Sequence, residues 1–195
     1  MSISVKLILK EIDKIHTIRP VLYTGNFSEK YKCSRVEYTR NRRFYRNQLI
    51  ASIIEDDNFV VDEQRHSLKY KQHEKYFSAS YSDNDILVAI QDKPVGVDLE
   101  RYKKLTEEKG ELFINDKERI IMNNELIGQE EINKITMMWC LKESVGKLFG
   151  VGISKGFNLF DFVGIVDNVQ YEVYAYYLFM KDCCAAICSW NCLEG

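Results

Sequence analysis

The sequence lacks a strong excess of charge of either sign and any apolar run long enough to span a bilayer. Its 27 lysines and arginines nearly balance 29 aspartates and glutamates, so the net charge is −2 and the pI is near 6.0. This balance gives no general electrostatic case for nucleic acid or an anionic membrane as a partner, so any anion site must be local. Lys6 and Lys10 interrupt the apolar core that a signal peptide would need. We therefore expect a cytoplasmic protein that binds neither nucleic acid nor membrane.

The six cysteines show neither a disulfide pattern nor a zinc pattern. A chain of 195 residues without an export signal has no need of a disulfide framework and no compartment for one. Four of the cysteines lie close together, but they include no C-x-x-C pair and fall mostly in an apolar segment that is typical of a strand. We interpret them as small packing residues rather than zinc ligands. They are Cys183, Cys184, Cys188 and Cys192.

The segment Val95–Glu100 is the first candidate for chemistry. It follows an apolar run, Ile86–Ile90, and a turn signal, which together predict a β-hairpin. Because side chains alternate along a strand, Asp98 and Glu100 share one face, while the valines and the leucine take the core face. Gly96 lies on the carboxylate face, where a ligand or another backbone could approach closely. The paired carboxylates are either a site or the solvated outer face of a half-buried hairpin, with the glycine as a bulge.

A local basic surface is the second candidate feature. The segment 28–56 has a mainly helical pattern and carries seven cations. Arginine forks suit phosphate recognition, but charge runs also occur on solvated helix faces, and both interpretations stay open. The polar stretch 56–75 shows no periodicity and predicts a loop. Ser78, Ser80 and Ser82 then alternate, which predicts one polar strand face such as an exposed edge. The seven cations are Lys30, Lys32, Arg35, Arg40, Arg42, Arg43 and Arg46.

The longest helical pattern covers residues 129–149 and ends at Gly150, a typical C-terminal cap. Its broad apolar arc predicts a substantially buried helix. Lys142 falls inside this arc, where its ammonium must either reach solvent or meet an anion. Glu143 and Lys147 lie one turn apart at the edge of the arc. That spacing is most often a surface salt bridge worth roughly 0.2–0.5 kcal/mol.

Two motifs of this chain resemble those of the 4′-phosphopantetheinyl transferases. The family's strand motif, G-[IV]-D-x-E, is matched by Gly96-Val97-Asp98-Leu99-Glu100. Its helix motif, W-x-x-K-E-[AS]-x-x-K, is matched by the run from Trp139 to Lys147. The order and separation of the motifs also agree, and the resemblance covers about residues 77–162 well and the N-terminal third loosely. The tryptophan and the chain length indicate the Sfp type, which activates surfactin synthetase, rather than the short trimeric holo-acyl-carrier-protein synthases.

The resemblance implies an α+β fold of two pseudo-symmetric halves, each an antiparallel sheet packed on a long helix, with the active site in the cleft between them. The sequence patterns agree with this, because each half contains one long helical pattern. Strand-like patterns over residues 157–190 suit the second sheet. We place the boundary near residue 100, so that residues 1–100 form an N-terminal half and residues 101–195 a C-terminal half of one functional unit.

The family transfers the 4′-phosphopantetheine group of coenzyme A to a serine of an apo carrier protein, requires Mg²⁺, and releases adenosine 3′,5′-bisphosphate. The resemblance implies Asp98, Glu100 and Glu143 as metal ligands, and their oxygens suit Mg²⁺ or Mn²⁺. It implies Glu143 as the catalytic base, acting directly or through a metal-bound water. Lys147 would contact the phosphate and assist the leaving group, with Lys142 as a supporting cation.

Coenzyme A needs cations for its phosphates, and the resemblance gives the basic segment this purpose. This chain departs from the family at two points. The family's S-H-S, with its histidine on a phosphate, is replaced by Ser80-Tyr81-Ser82. The family's Gly-Lys-Pro is absent, which leaves Lys71 or Lys75 as substitutes. Lys103 and Lys104 are either contacts of an acidic carrier helix or part of a solvated loop. The implied coenzyme A contacts are Lys30, Lys32, Arg42, Arg43, Lys75, Ser80, Tyr81, Lys142 and Lys147.

Two other functions would use the same residues. One is a protein that binds coenzyme A and a metal but performs no transfer, and the other is a metal-dependent phosphohydrolase with water as its nucleophile. The presence of Glu143 and Lys147 favours an enzyme over a binding protein, and the pairing of the motifs favours transfer over hydrolysis. We expect a monomer. The sequence does not specify whether the acceptor is a peptidyl, polyketide or acyl carrier.

Overall fold

The computed structural model describes residues 3–11, 21–24, 35–83, 85–102, 105–151, 160–163 and 171–190. The strands in these ranges are β1 (Ile3–Glu11), β2 (Val21–Thr24), β3 (Phe59–Asp62), β4 (Ser67–Tyr70), β5 (His73–Ser82), β6 (Asp85–Gln91), β7 (Val95–Arg101), β8 (Phe160–Val163), β9 (Tyr171–Phe179) and β10 (Cys183–Ser189). The helices are α1 (Arg35–Ile54), α2 (Glu107–Gly110), α3 (Asp116–Glu125) and α4 (Glu131–Leu148).

The described strands form two five-stranded sheets, which we call the first and second sheets. The first sheet has the order β2-β6-β5-β4-β3, and all of its neighbours are antiparallel. The second sheet has the order β7-β10-β9-β1-β8. In it β7, β10 and β9 are antiparallel, whereas β1 lies parallel to both β9 and β8. The predicted α+β class, with two sheets rich in antiparallel pairs, is confirmed.

Each sheet packs against one of the two long helices. Leu49 and Ile50 of α1 join the buried residues of the first sheet, including Phe77. The apolar arc of α4 lies against the second sheet in the largest core, which confirms the prediction of a buried helix. A third core joins Leu87 of β6 to Val97 of β7 and other residues of the second sheet. The order of layers is therefore α1, first sheet, second sheet, α4.

The predicted hairpin of β6 and β7 is wrong. β6 pairs with β2 and β5 in the first sheet, whereas β7 pairs with β10 in the second, with Asp98 opposite Ala186. The turn between β6 and β7 therefore connects the two sheets. Because pairing with a distant strand leaves no local signal, the sequence around this turn is compatible with both arrangements.

Gly96 brings β7 into close contact with the backbone of α4. A Cβ atom at this position would lie 1.8 Å from the carbonyl oxygen of Ser144 and 2.6 Å from the backbone nitrogen of Leu148. The glycine therefore serves the approach of another backbone, one of the two uses expected of it, and not a bulge. The carboxylate face of β7 is covered by α4, and Asp98 is only 6% exposed, so the solvated outer face is also wrong.

The structure also describes segment 56–75 and the cysteines of β10, about which the sequence made predictions. The segment 56–75 is not a loop throughout, because it contains β3, β4 and the start of β5. The cysteines of β10 are packing residues: Cys183 faces the core between the sheets, and Cys184 and Cys188 face α4. Cys192 lies outside the described residues. Within the described ranges, no helix is both long and apolar enough to cross a membrane.

The division into residues 1–100 and 101–195 stays a prediction. The second sheet draws strands from both sides of residue 100, because β1 lies between β8 and β9 and β7 lies beside β10. Both long segments of the chain thus contribute to the sheet that carries α4.

Candidate active site

Three serines of β5 contact the outer edge of β7, which is an edge strand of the second sheet. We call Ser78, Ser80 and Ser82 the serine row. The Ser78 hydroxyl accepts a hydrogen bond from the backbone nitrogen of Val97 at 3.1 Å. The Ser80 hydroxyl donates to Asp98 Oδ1 at 2.7 Å, and the Ser82 hydroxyl donates to Glu100 Oε1 at 2.8 Å. The face predicted as an exposed edge is thus a buried contact between the two sheets.

The carboxylate of Asp98 has one satisfied and one unsatisfied oxygen. Its Oδ1 accepts from Ser80 and, at 2.8 Å, from the ammonium of Lys147. Lys147 also donates to the carbonyl oxygen of Val97 at 2.8 Å. Asp98 Oδ2 is buried and has no hydrogen-bond partner among the described residues. A buried carboxylate oxygen without a partner is costly, and it marks a place where a ligand would be stabilising.

Glu100 is held from two directions at the end of β7. Its Oε1 accepts from the Ser82 hydroxyl and, at 3.0 Å, from the backbone nitrogen of Arg101. The guanidinium of Arg101 is paired with Asp85 and, at 3.2 Å, with Asp83. Glu100 therefore accepts hydrogen bonds, while Asp83 and Asp85 are paired with a cation.

Glu143 approaches these carboxylates from α4. Burial raises the pKa of Glu143, and the negative charges of Asp98 and Glu100 raise it further, while Lys147 opposes them. Its carboxylate accepts no hydrogen bond from the described residues. The i,i+4 partner Lys147 points instead to Asp98, so the expected surface salt bridge between Glu143 and Lys147 is not the arrangement found.

The three carboxylates suit a divalent cation without forming a closed ligand set. Among the described residues, no group of three or more acidic, imidazole or thiol side chains is arranged to hold a metal ion. Mg²⁺ does not require one, because it commonly binds one or two carboxylates and completes its shell with water and phosphate oxygens. The unpartnered Oδ2 of Asp98 and the concentration of negative charge around Glu143 are the observations that favour such an ion.

Lys142 lies elsewhere, in a buried ion pair. Its ammonium is 2.8 Å from Glu118 Oε1 and donates to the carbonyl oxygen of Phe113 at 2.6 Å. The Lys142 side chain is 2% exposed and that of Glu118 is fully buried. The sequence predicted that this ammonium would either reach solvent or meet an anion, and the structure shows the second arrangement. Because the ammonium is enclosed by protein groups, the predicted contact of Lys142 with coenzyme A is not supported.

Arg42 and Tyr81 lie together on the other face of β5. The guanidinium of Arg42 is 4.0 Å from the centre of the Tyr81 ring and 5.1 Å from that of Tyr38. It donates to the carbonyl oxygen of Tyr81 at 3.3 Å, while its buried Nε meets no hydrogen-bond acceptor in the part of the chain that the structure describes. No carboxylate of the described residues pairs with Arg42. Two predicted coenzyme A contacts are therefore neighbours, although the strand separates them from Ser80.

The other cations predicted from the sequence have different surroundings. Arg43 is 62% exposed and lies 3.9 Å from Glu63. Arg46, which the sequence did not single out from its neighbours, is buried and forms two hydrogen bonds to the Glu63 carboxylate. Lys75 is paired with Asp92. Lys30, Lys32, Lys103 and Lys104 lie outside the described residues.

A cavity of about 180 Å³ opens beside Lys147. Its walls include Phe77 of β5, Val95 of β7 and Phe149 after α4, with Arg65 and His66 at one side. The ammonium of Lys147 thus binds Asp98, while the rest of its side chain lines a partly apolar cavity. No sequence pattern predicts this cavity, because its walls come from segments that are distant along the chain.

Comparison with known proteins agrees with the two motifs. The model of the 4′-phosphopantetheinyl transferase superfamily matches residues 94–188. A curated 4′-phosphopantetheinyl transferase, gsp of Aneurinibacillus migulanus, is 23% identical over 147 residues, which are 70% of this chain and 62% of the relative. The chain therefore matches less than two thirds of the length of that relative. Both motifs, with β7, α4 and the carboxylates that they carry, fall within the matched range, and this part of the chain belongs to the 4′-phosphopantetheinyl transferase superfamily.

Proposed function

We propose that this protein transfers the 4′-phosphopantetheine group of coenzyme A to a serine of an apo carrier protein, as a transferase of the Sfp type. One observation carries the proposal. Gly96 lets α4 lie directly on β7, so that Asp98, Glu100, Glu143 and Lys147 share one region of the structure. These are the acidic and basic groups of the two motifs, and they come together from different elements.

The reaction exchanges one phosphorus–oxygen bond for another. The serine oxygen of the carrier attacks the phosphorus that bears the pantetheine arm, and the bond from that phosphorus to the bridging oxygen breaks. Adenosine 3′,5′-bisphosphate leaves with the bridging oxygen, and the serine proton passes to a base. Glu143 is our candidate for this base, because its carboxylate is half-buried and accepts no hydrogen bond from the described residues. Lys147, whose ammonium binds Asp98 Oδ1, would neutralise charge on the leaving phosphate.

Asp98, Glu100 and Glu143 would hold Mg²⁺ or Mn²⁺. When bound, the ion would neutralise charge that develops on the pyrophosphate. Ser80 and Lys147 bind Oδ1 of Asp98, so that Oδ2 is the oxygen that would contact the ion.

The phosphates of coenzyme A require further cations, and Arg42 is the described residue best prepared for one. It lies against the rings of Tyr38 and Tyr81 and has no carboxylate partner among the described residues. Arg43, its exposed neighbour, already lies near Glu63. Lys30 and Lys32 remain candidates for the same phosphates, and Lys103 and Lys104 for the carrier protein. We further propose that the protein acts in the cytoplasm as a monomer.

The test is the intact mass of apo carrier proteins incubated with this protein, coenzyme A and Mg²⁺. A panel of peptidyl, polyketide and acyl carriers is needed, since the sequence does not specify the acceptor. We expect a gain of one phosphopantetheine group on at least one carrier, and loss of that gain in the Asp98→Asn and Glu143→Gln variants. Chromatography of the nucleotide products should show one adenosine 3′,5′-bisphosphate for each modified carrier.

Two other outcomes would identify the alternative functions. Release of adenosine 3′,5′-bisphosphate without any gain of carrier mass would indicate a phosphohydrolase. Binding of coenzyme A by the folded protein without either product, over the whole panel, would indicate a binding protein. Either result would reject transfer.

A further inference from the structure

We infer that Ser80 and Ser82 of the first sheet are positioning residues that set the metal affinity of the carboxylates on β7, in the second sheet. The inference rests on the proposed function, because it assigns Asp98 and Glu100 to the metal. It also gives the two serines a different task from the coenzyme A contact expected for Ser80. Through them the first sheet would take part in metal binding without supplying a ligand.

The geometry follows from matching periods on two strands. Ser80 and Ser82 lie two residues apart on β5, and Asp98 and Glu100 lie two residues apart on β7. Side chains on one strand face repeat every two residues, so two strands that run in the same direction can pair these groups one to one. The structure shows such pairing, with hydroxyl-to-carboxylate distances of 2.7 and 2.8 Å.

Each hydroxyl fixes one oxygen of its carboxylate. Ser80, which is 5% exposed, binds Oδ1 of Asp98, and Lys147 binds the same oxygen. The other oxygen, Oδ2, is buried and receives no hydrogen bond from the described residues. The asymmetry leaves Oδ2 as the oxygen that a cation would take, because no described residue donates to it. A carboxylate that is held in this way loses little rotational freedom when it binds a cation, and hydrogen bonds to ligating carboxylates commonly change metal affinity by about 10–100-fold.

The serine row contains its own control. Ser78 lies on the same face of the same strand and is 4% exposed, but its hydroxyl accepts from the backbone nitrogen of Val97 and touches no carboxylate. A Ser78→Ala substitution removes a buried hydroxyl and leaves a backbone donor without its partner. It therefore reproduces the structural cost of the other two substitutions without altering the carboxylates.

The experiment measures Mn²⁺ affinity by electron paramagnetic resonance in the wild-type protein and in the Ser78→Ala, Ser80→Ala, Ser82→Ala and Ser80→Thr variants. Thermal unfolding of each variant is recorded in parallel. We expect the dissociation constant for Mn²⁺ to rise about 10-fold or more in Ser80→Ala and Ser82→Ala. Ser78→Ala should keep the wild-type constant despite a lower unfolding temperature, and Ser80→Thr, which retains the hydroxyl, should restore most of the affinity. In a transfer assay, Ser80→Ala and Ser82→Ala should reach half of their maximal rate at a higher Mg²⁺ concentration than the wild type. Their rate at saturating Mg²⁺ should fall by a smaller factor than their rate at low Mg²⁺.

The inference is rejected if Ser80→Ala and Ser82→Ala bind Mn²⁺ as tightly as the wild type, or if Ser78→Ala weakens binding to the same degree. The proposed function survives such a result as long as the wild-type protein transfers phosphopantetheine. If the wild-type protein binds no Mn²⁺, the inference also fails, and the carrier-mass assay decides the proposed function separately.

Discussion

At the scale of single residues, Gly96 leaves no room for a side chain. The side-chain site that it leaves empty is filled by backbone atoms of α4, which cannot rotate away as a flexible side chain could. We therefore expect Gly96→Ala to lower the free energy of unfolding by about 3 kcal/mol or more, since forced overpacking typically costs about 1–3 kcal/mol and here the clash is with backbone. Urea denaturation followed by circular dichroism measures this change.

Gly110→Ala is the matched control for this prediction. The three atoms nearest to a Cβ at Gly110 would all belong to the side chain of Ile135, the closest at 3.0 Å. Gly110 is the last residue of the four-residue helix α2, and its nearest contacts are side-chain rather than backbone atoms, so Gly110→Ala should destabilise the protein less than Gly96→Ala. If Gly96→Ala were no more destabilising than Gly110→Ala, the close packing of α4 on β7 would be wrong.

The thiols of β10 should be unreactive in the folded protein. Burial raises the pKa of Cys183 to about 11 and that of Cys188 to about 12. Because the thiolate is the form that reacts with alkylating agents, both thiols should resist iodoacetamide at pH 8. Peptide mapping by mass spectrometry should show labelling of both only after denaturation in guanidinium. Rapid labelling of Cys188 in the native protein would contradict the packing of β10 against α4.

At the scale of elements, the buried pair of Glu118 and Lys142 ties α3, α4 and β8 together. Glu118 caps the start of α3 through the backbone nitrogen of Asn115, and it also accepts from the backbone nitrogen of Phe162. We expect Glu118→Gln to lower the free energy of unfolding by about 3–5 kcal/mol, because it leaves a buried ammonium without its anion. Glu125→Gln, at an exposed position of the same helix, should change it by less than about 0.5 kcal/mol.

A double-mutant cycle separates this pair from general damage to the core. The Glu118→Leu/Lys142→Met variant removes both charges, so it should be more stable than the sum of the two single substitutions implies. Chemical denaturation of the four proteins gives the coupling free energy. Additive effects would mean that the two side chains do not act as a pair.

The contact of α1 with the first sheet should depend on pH. Hydrogen bonds from Arg46 hold the pKa of Glu63 below its ordinary value of 4.5, against the effect of burial. The depressed pKa means that the pair stabilises the folded state fully above about pH 4.5, and that this stabilisation is lost as the pH falls through the lower, folded value. Melting temperatures between pH 3 and pH 7 should therefore fall less steeply in Glu63→Gln than in the wild type. Glu74→Gln, at a half-exposed pair with Lys69, is the control for removal of one surface carboxylate.

The sequence predicted individual helices and strands better than it predicted which distant segments they pair with. The apolar arc of α4 and the strand patterns of β7 and β9 are local signals, and all three elements appear in the structure. β3 was missed because it is a short edge strand whose outward-facing residue, Val60, is also apolar and 71% exposed. Phe59 and Val61 do face the core, but the sequence shows no apolar–polar alternation there. The partner of β7 was assigned wrongly because β10 lies far along the chain. For the same reason, the anion that meets Lys142 could be anticipated but not identified.

At the scale of the whole molecule, the second sheet cannot form from the second half of the chain alone. Residues 101–195 contain β8, β9 and β10 but neither β1 nor β7, which are their neighbours in the sheet. We expect a fragment of these residues to remain unfolded, without a cooperative thermal transition by circular dichroism and without dispersed amide signals in NMR spectra. A cooperative transition in this fragment would show that α4 and three strands suffice for a core.

The serine row has a further consequence for how such a protein can change over evolutionary time. A strand joined by its backbone can be shifted only as a whole, because every pairing depends on one register. β5 and β7 are instead joined by hydroxyl groups at Ser78, Ser80 and Ser82, each encoded by its own codon. Selection can therefore alter one connection at a time, and so adjust the affinity of a site independently of the sheets that build it.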